Sequence, residues 1–192
     1  MTSDDLTLNP QNALSYLVAR GLATEGETIS VRELGGGVSN IVLLIEWPNK
    51  PERRWVLKQS LEKLRVQDDW RSERARIYRE AEAIEALRPT LGEAALPEII
   101  HIDRENFAYI MTAAPTGSAS WKEQLLTGEV DLRVAGQAAL LLARMMKASR
   151  ADPNLRERFA DRTVFDQLRV DPYYRTTARR HPDVRGALVQ LV

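Results

Sequence analysis

Three consecutive glycines, Gly35, Gly36 and Gly37, lead through Val38 into Ser39 and Asn40. Glycine lets backbone N–H groups come close to phosphate oxygens, and small polar neighbours add donors. The Ser39 hydroxyl could serve as one, and Asn40 tolerates backbone angles that most residues avoid. Downstream stand Lys58, whose ammonium can neutralise phosphate charge, and Glu80, whose carboxylate can hold that ammonium in place. Together these groups would bind a polyphosphate. Read singly, each has a plainer alternative: a ligand-free hairpin turn, an exposed lysine at a strand end, and one charge among many on a charged helix.

The elements that must carry these residues decide between the readings. A P-loop needs a lysine directly after its last glycine and then a helix, and a Rossmann fingerprint also opens into a helix. Here the glycines run into Ile41-Val42-Leu43-Leu44-Ile45, which predicts a strand. The template that remains is the kinase hairpin G-x-G-x-x-G-x-V, in which a glycine turn between antiparallel strands covers a nucleotide's phosphates. Gly35, Gly37 and Val42 match it, and Asn40 replaces the third glycine. Lys58 closes Trp55-Val56-Leu57-Lys58, where that template has V-A-I-K. A helix is predicted over 67–87, with Pro89 after it, and Trp70, Glu73, Ile77, Glu80, Ala81, Ile84 and Leu87 share one face. Glu80 lies in the middle of that apolar stripe, where an unpaired carboxylate is costly. Lys58 is its natural partner, Glu73 is the second candidate, and Glu82 and Glu85 point to solvent. Three elements in this order predict a kinase-like nucleotide lobe.

The rest of the chain supplies the frame. Asn9 and Pro10 predict a capped helix ending at Gly21. Strands are predicted over 29–34, 40–47, 54–59, 98–103 and 107–112, as an antiparallel arrangement with one helix inserted after the third. Residues 113–120, with Pro115 and Gly117, read as a linker. Beyond it Leu132, Ala135, Ala139, Leu142, Ala143 and Met146 recur at helical spacing, and Leu140, Leu141 and Met145 widen the stripe until the helix reads as largely buried. Another helix is predicted over 156–168, broken at Asp171-Pro172-Tyr173-Tyr174. The expected organisation is an α+β chain: a five-stranded antiparallel sheet lobe over 1–112, a hinge over 113–120, and a partial helical lobe over 121–192.

Composition excludes several classes. The 192 residues contain 27 Lys plus Arg against 27 Asp plus Glu, so no basic field argues for nucleic acid. There is no cysteine, and only His101 and His181, which disfavours thiol chemistry and a histidine metal site. The acidic, polar start is unlike a secretory signal, and no apolar run is long enough to span a bilayer, so a cytoplasmic location and no membrane partner are expected. His101 is expected to be an ordinary strand residue, Tyr173 and Tyr174 to pack, and Trp121 to anchor the helical part. Arg71, Arg74, Arg76 and Arg79 alternate with glutamates and predict a solvated helix face.

The segments GGGVSN (35–40), WVLKQ (55–59), REAEAIEAL (79–87), AYIMTAAP (108–115), SWKEQLLTG (120–128) and RVDPYYR (169–175) resemble the aminoglycoside phosphotransferase and choline kinase group. This is the small-molecule branch of the protein-kinase-like fold. The last two segments are most similar to 5-methylthioribose kinases. The resemblance runs across nearly the whole chain but covers only the N-terminal part of such a kinase. It implies a bilobal enzyme that moves the γ-phosphate of ATP, with Mg²⁺ in a full-length form, to a hydroxyl of a small-molecule acceptor. By that resemblance Lys58 holds phosphates, Glu80 positions it, Met111 lines the pocket, and backbone groups of Thr112, Ala113 and Ala114 meet the adenine edge.

Such transfer also needs a catalytic Asp and carboxylate or amide ligands for Mg²⁺, which the resembling kinases carry in an H-G-D-x-x-x-x-N loop. His181-Pro182-Asp183 does not supply it, because Pro182 replaces the glycine and Leu188 stands where the asparagine belongs. Asp171 lacks the surrounding loop. The sequence therefore predicts no catalytic residue and no metal ligand in this chain, and hence a truncated kinase inactive by itself. The alternative is a non-catalytic nucleotide-binding or protein-interaction remnant of the same fold. An incomplete helical lobe also predicts an uncovered apolar surface and, through it, a homodimer.

Overall fold

The computed structural model describes residues 6–35 and 37–192. The chain is α+β, with a five-stranded antiparallel sheet in the order β1-β2-β3-β5-β4. The strands are β1 (Ser30–Glu33), β2 (Asn40–Trp47), β3 (Lys50–Ser60), β4 (Ile99–Asp103) and β5 (Ala108–Thr112). β2 and β3 form a tight hairpin, and Pro51 sits beside its turn, inside β3, where the sequence predicts a break. β5 rather than β4 pairs with β3, so the chain crosses over before the last hairpin closes the edge.

Period-two alternation sends the two faces to different cores. On one face Ile41, Leu43, Ile45 and Trp47 of β2 join Leu57, Ala108 and Ile110 beneath helix α1 (Ala13–Ala19), which contributes Ala13, Tyr16 and Leu17. The Asn9 side chain accepts from the N–H groups of Gln11 and Asn12 at 2.9 and 3.1 Å, but the regular helix begins only at Ala13. The side-chain amide of Gln59, 1% exposed, ties this layer together. It accepts from Leu8 N–H at 2.9 Å and donates to the carbonyls of Leu6 and Asn106.

The other face packs on α2 (Arg76–Leu91) through Ile77, Tyr78, Ala81 and Tyr109. This helix starts nine residues later than the predicted 67, and Pro89 lies inside it rather than after it. Residues 61–75 instead form an irregular segment with a Lys63–Arg71 bridge, so Trp70 and Glu73 do not belong to the helical face. That segment is what the helical portion docks against: Trp70 Nε1 donates to the Gln167 carbonyl at 2.9 Å. The Gln167 side-chain oxygen accepts from Ser72 Oγ at 2.9 Å and Glu73 N–H at 3.1 Å.

After the extended residues 113–120 come α3 (Trp121–Leu126), α4 (Leu132–Ala151), α5 (Pro153–Arg158) and α6 (Thr163–Phe165). α6 passes into a π-wound stretch, Asp166–Arg175, then α7 (Thr176–Arg180), with α8 (Arg185–Val189) last. Three expectations fail here. Asp171-Pro172-Tyr173-Tyr174 does not break the chain but lies within the π turn, whose wider winding accommodates the missing proline N–H. α4 has no buried residue: Leu132 is 80% exposed and Met146 50%, and the stripe expected in a core faces solvent. The opposite row, Val134, Ala138, Leu141 and Ala148, is the partly covered one. Trp121 likewise anchors nothing, since α3 buries no side chain.

Candidate functional site

Strand register places the candidate residues. Val42, Lys58 and Tyr109 lie side by side across β2, β3 and β5, and so do Leu44, Val56 and Met111. All six belong to the face opposite α1. Near the hinge this face leaves a cleft of about 670 Å³, whose walls include Leu34, Val42, Val56, Lys58, Met111, Ala113 and Ala114. The structure therefore brings Lys58, Met111, Ala113 and Ala114 to one cavity. Its walls are mainly apolar, and Lys58 contributes a cation to them.

Glu80 reaches down from α2 and forms an ion pair with Lys58. The lysine side chain is 15% exposed and the glutamate 43%, so the pair is open to solvent on the carboxylate side. The position of Glu80 five residues into α2, one turn after Arg76, is what aims it at the strand. Glu73, the second candidate, does not take this role: it precedes the helix and its N–H is held by Gln167. Beneath the pair lies Tyr109, fully buried, with the Lys58 Nζ 5.7 Å from its ring centroid. Its hydroxyl makes no hydrogen bond among the described residues. Burial, and then the nearby Glu80 carboxylate, push its pKa far above the usual phenol range.

The glycine-rich turn joins β1 to β2, and Leu34 N–H donates to Val42 O at 2.7 Å where it begins; Leu34 and Val42 line the cleft, whereas Gly35, Gly37, Ser39, Asn40 and Glu80 do not. Gly36 lies outside the described residues. Gly35 and Gly37 have no left-handed φ, and a Cβ at either would meet nothing within 4 Å. Neither the turn's conformation nor crowding by the chain demands glycine there. Asn40 does not use its tolerance for positive φ: Phe107 at φ 51 is the one non-glycine residue with positive φ among the described residues. Asn40 simply begins β2. The carbonyl of Val38 accepts from Arg65 N–H at 2.9 Å and that of Ser39 from Leu61 N–H at 3.0 Å. In trans peptides the following N–H points the opposite way, so those of Ser39 and Asn40 turn away from the 61–65 segment and toward the inside of the turn.

At the hinge the backbone is more committed than the sequence suggests. Thr112 N–H donates to Glu98 O and Ala113 N–H to Arg54 O, both at 2.9 Å. The Ala114 carbonyl accepts from Arg54 Nη1 at 2.6 Å. Among the described residues the Ala114 N–H has no partner, and Ala114 lines the cleft.

Sequence reasoning missed two members of this neighbourhood. Arg76, expected on a solvated face, is 7% exposed and bonded to the glycine-rich turn. Its spacing of one helical turn from Glu80 was the available signal. Tyr109 was accessible from alternation alone, since it stands two residues before Met111 on the same strand. Asp171 and His181 line a separate cleft of about 500 Å³ beside Asp68 and Trp70, and neither lines the Lys58 cleft. No group of three or more metal-ligating side chains occurs among the described residues, and no described helix is long and apolar enough to cross a membrane. No family model matches the chain, and no curated protein matches it.

Proposed function

We propose that this chain is the ATP-binding portion of a small-molecule kinase with a protein-kinase-like fold. By the resemblance of its motifs it belongs on the aminoglycoside phosphotransferase side, nearest the 5-methylthioribose kinases. The observation that carries this reading is the Lys58–Glu80 ion pair, whose lysine lines an apolar cleft that Leu34, at the start of the glycine-rich turn, lines as well.

The residues present fit a nucleotide. Val42, Val56 and Met111 supply apolar walls for a purine, and the Ala114 N–H supplies an edge donor. Lys58 supplies a cation, and the Ser39 and Asn40 N–H groups face the inside of the turn. Glu80 keeps the ammonium of Lys58 pointed along the cleft instead of into solvent. Bound ATP would supply the phosphoryl group; this chain's residues would hold it and exclude water from its base. The acceptor hydroxyl and Mg²⁺ would be handled by residues of a full-length form.

The second reading, a nucleotide-binding or protein-interaction remnant without catalysis, draws support from the positions of Asp171 and Asp183. Asp171 pairs with Arg179 at 3.6 Å in the other cleft, and Asp183 is exposed. The kinase reading and the nucleotide-binding form of the second share the nucleotide site; a protein-interaction remnant would lack it. A thermal-shift titration with Mg-ATP tests it: the wild-type protein gains stability with ligand, by mass action, and a Lys58→Ala variant gains much less. Equal shifts, or none, remove the proposal.

A further inference from the structure

Arg76 donates to four backbone carbonyls, and the nucleotide reading gives it no role. Its Nη2 donates to the carbonyls of Ser39 at 2.6 Å and Leu61 at 2.8 Å, with a long contact to Asn40 Oδ1 at 3.5 Å. Its Nη1 donates to the carbonyls of Ser72 at 3.1 Å and Glu73 at 2.9 Å. The side chain thus joins the last residues of the glycine-rich turn, the end of β3 and the entrance to α2. It is buried, and it forms no ion pair with a carboxylate among the described residues; its charge is met by carbonyl dipoles. Burial pulls its pKa down, opposed by the charge of Glu80 one turn along the same helix.

We infer that Arg76 is a positioning residue that couples the glycine-rich turn to the helix carrying Glu80, so that the turn and the Lys58–Glu80 pair adopt their places together. This inference rests on the nucleotide reading for its purpose but not for its mechanics. A guanidinium is planar, and its fork of donors bridges acceptors on both sides, which a lysine ammonium on a longer flexible stem cannot reproduce. The bridge matters because the Ser39 carbonyl it holds fixes, through the planar peptide, the direction of the Asn40 N–H. One residue thereby sets both the phosphate-facing amide and the helix that aims the lysine.

The test uses Arg76→Lys in the full chain, with amide hydrogen exchange and nucleotide titration as paired measurements. In the wild type, under mild denaturant, the amides of Leu61 and Arg65, which bond the Ser39 and Val38 carbonyls of the turn, and those of residues 76–80 should open as one cooperative unit, with matching protection. In Arg76→Lys both groups should lose about tenfold or more in protection together while α1 and β5 keep theirs. Loss confined to α2, or unequal openings in the wild type, overturns the coupling, and the wild-type measurement decides even if the variant does not fold. For ligands, ATP affinity should fall about tenfold in Arg76→Lys while adenosine affinity holds, since the change bears only on phosphates. An equal fall for both overturns the positioning role. Absence of ATP binding by the wild type instead refutes the nucleotide reading and leaves the coupling judged by exchange alone.

Discussion

Lys58 and Tyr109 stand directly opposite each other on β3 and β5, and the ammonium rests 5.7 Å from the centre of a ring whose hydroxyl lies near the Glu80 carboxylate without a well-formed hydrogen bond among the described residues. A buried, unsatisfied hydroxyl costs about 1–3 kcal/mol of desolvation. Tyr109→Phe removes only that oxygen, so it should raise unfolding stability by about 1 kcal/mol, read from urea titration at unchanged slope. A loss of stability would mean that the hydroxyl has a partner, with Glu80 the nearest.

Gly37→Ala separates the needs of the fold from those of the ligand. Its φ is compatible with alanine and the space around it is open. Stability should therefore stay level or rise by about 0.4–1 kcal/mol, because the unfolded chain loses freedom. Mg-ATP affinity should fall, since the added methyl projects where phosphate oxygens would approach. A variant that binds ATP as well as the wild type would show that the turn does not touch the nucleotide.

Acid stability should depend on Asp103. Burial raises its pKa, but hydrogen bonds from the Asn106 side chain, Tyr16 hydroxyl, Asn106 N–H and Arg20 outweigh it, and the net shift is downward. A folded-state pKa below the unfolded one contributes stability present above the unfolded value, about 3.9, and lost as pH falls through the folded value. Asp103→Asn should cost about 2 kcal/mol at neutral pH and flatten the decline below pH 4. An unchanged acid limb would assign that decline to other carboxylates.

The five antiparallel strands, the Lys58–Glu80 pair and the position of β2 were legible in the sequence, but the pairing of β5 rather than β4 with β3 was not. Alternation and turn residues are local signals, and a carboxylate in an apolar stripe demands a partner. The start of α2 was not legible, because residues 67–75 have helical composition and are held out of the helix by Trp70, Ser72 and Glu73 bonding to Gln167, nearly a hundred residues away. Arg76 was lost for the same reason: charged residues alternating along a helix look solvated until the turn that folds over them is known. The burial of α4 was misjudged because periodicity identifies an apolar face but not whether anything covers it.

That uncovered face predicts association. Leu132, Leu142 and Met146 are 80%, 57% and 50% exposed along one side of α4. Exposed stripes of this kind favour self-association. Sedimentation should show a concentration-dependent dimer, and the double substitution Leu142→Lys with Met146→Lys should return it to monomer without loss of helix signal. A wild-type protein that stays monomeric across the accessible range would contradict the homodimer.

The most direct measurement is the calorimetric affinity for Mg-ATP of the wild type beside Lys58→Ala and Glu80→Gln. The account predicts saturable binding by the wild type, weakened about tenfold or more when the ammonium is removed and by a smaller factor when only its carboxylate partner is neutralised. Binding that ignores both substitutions, or no binding by the wild type, would contradict it.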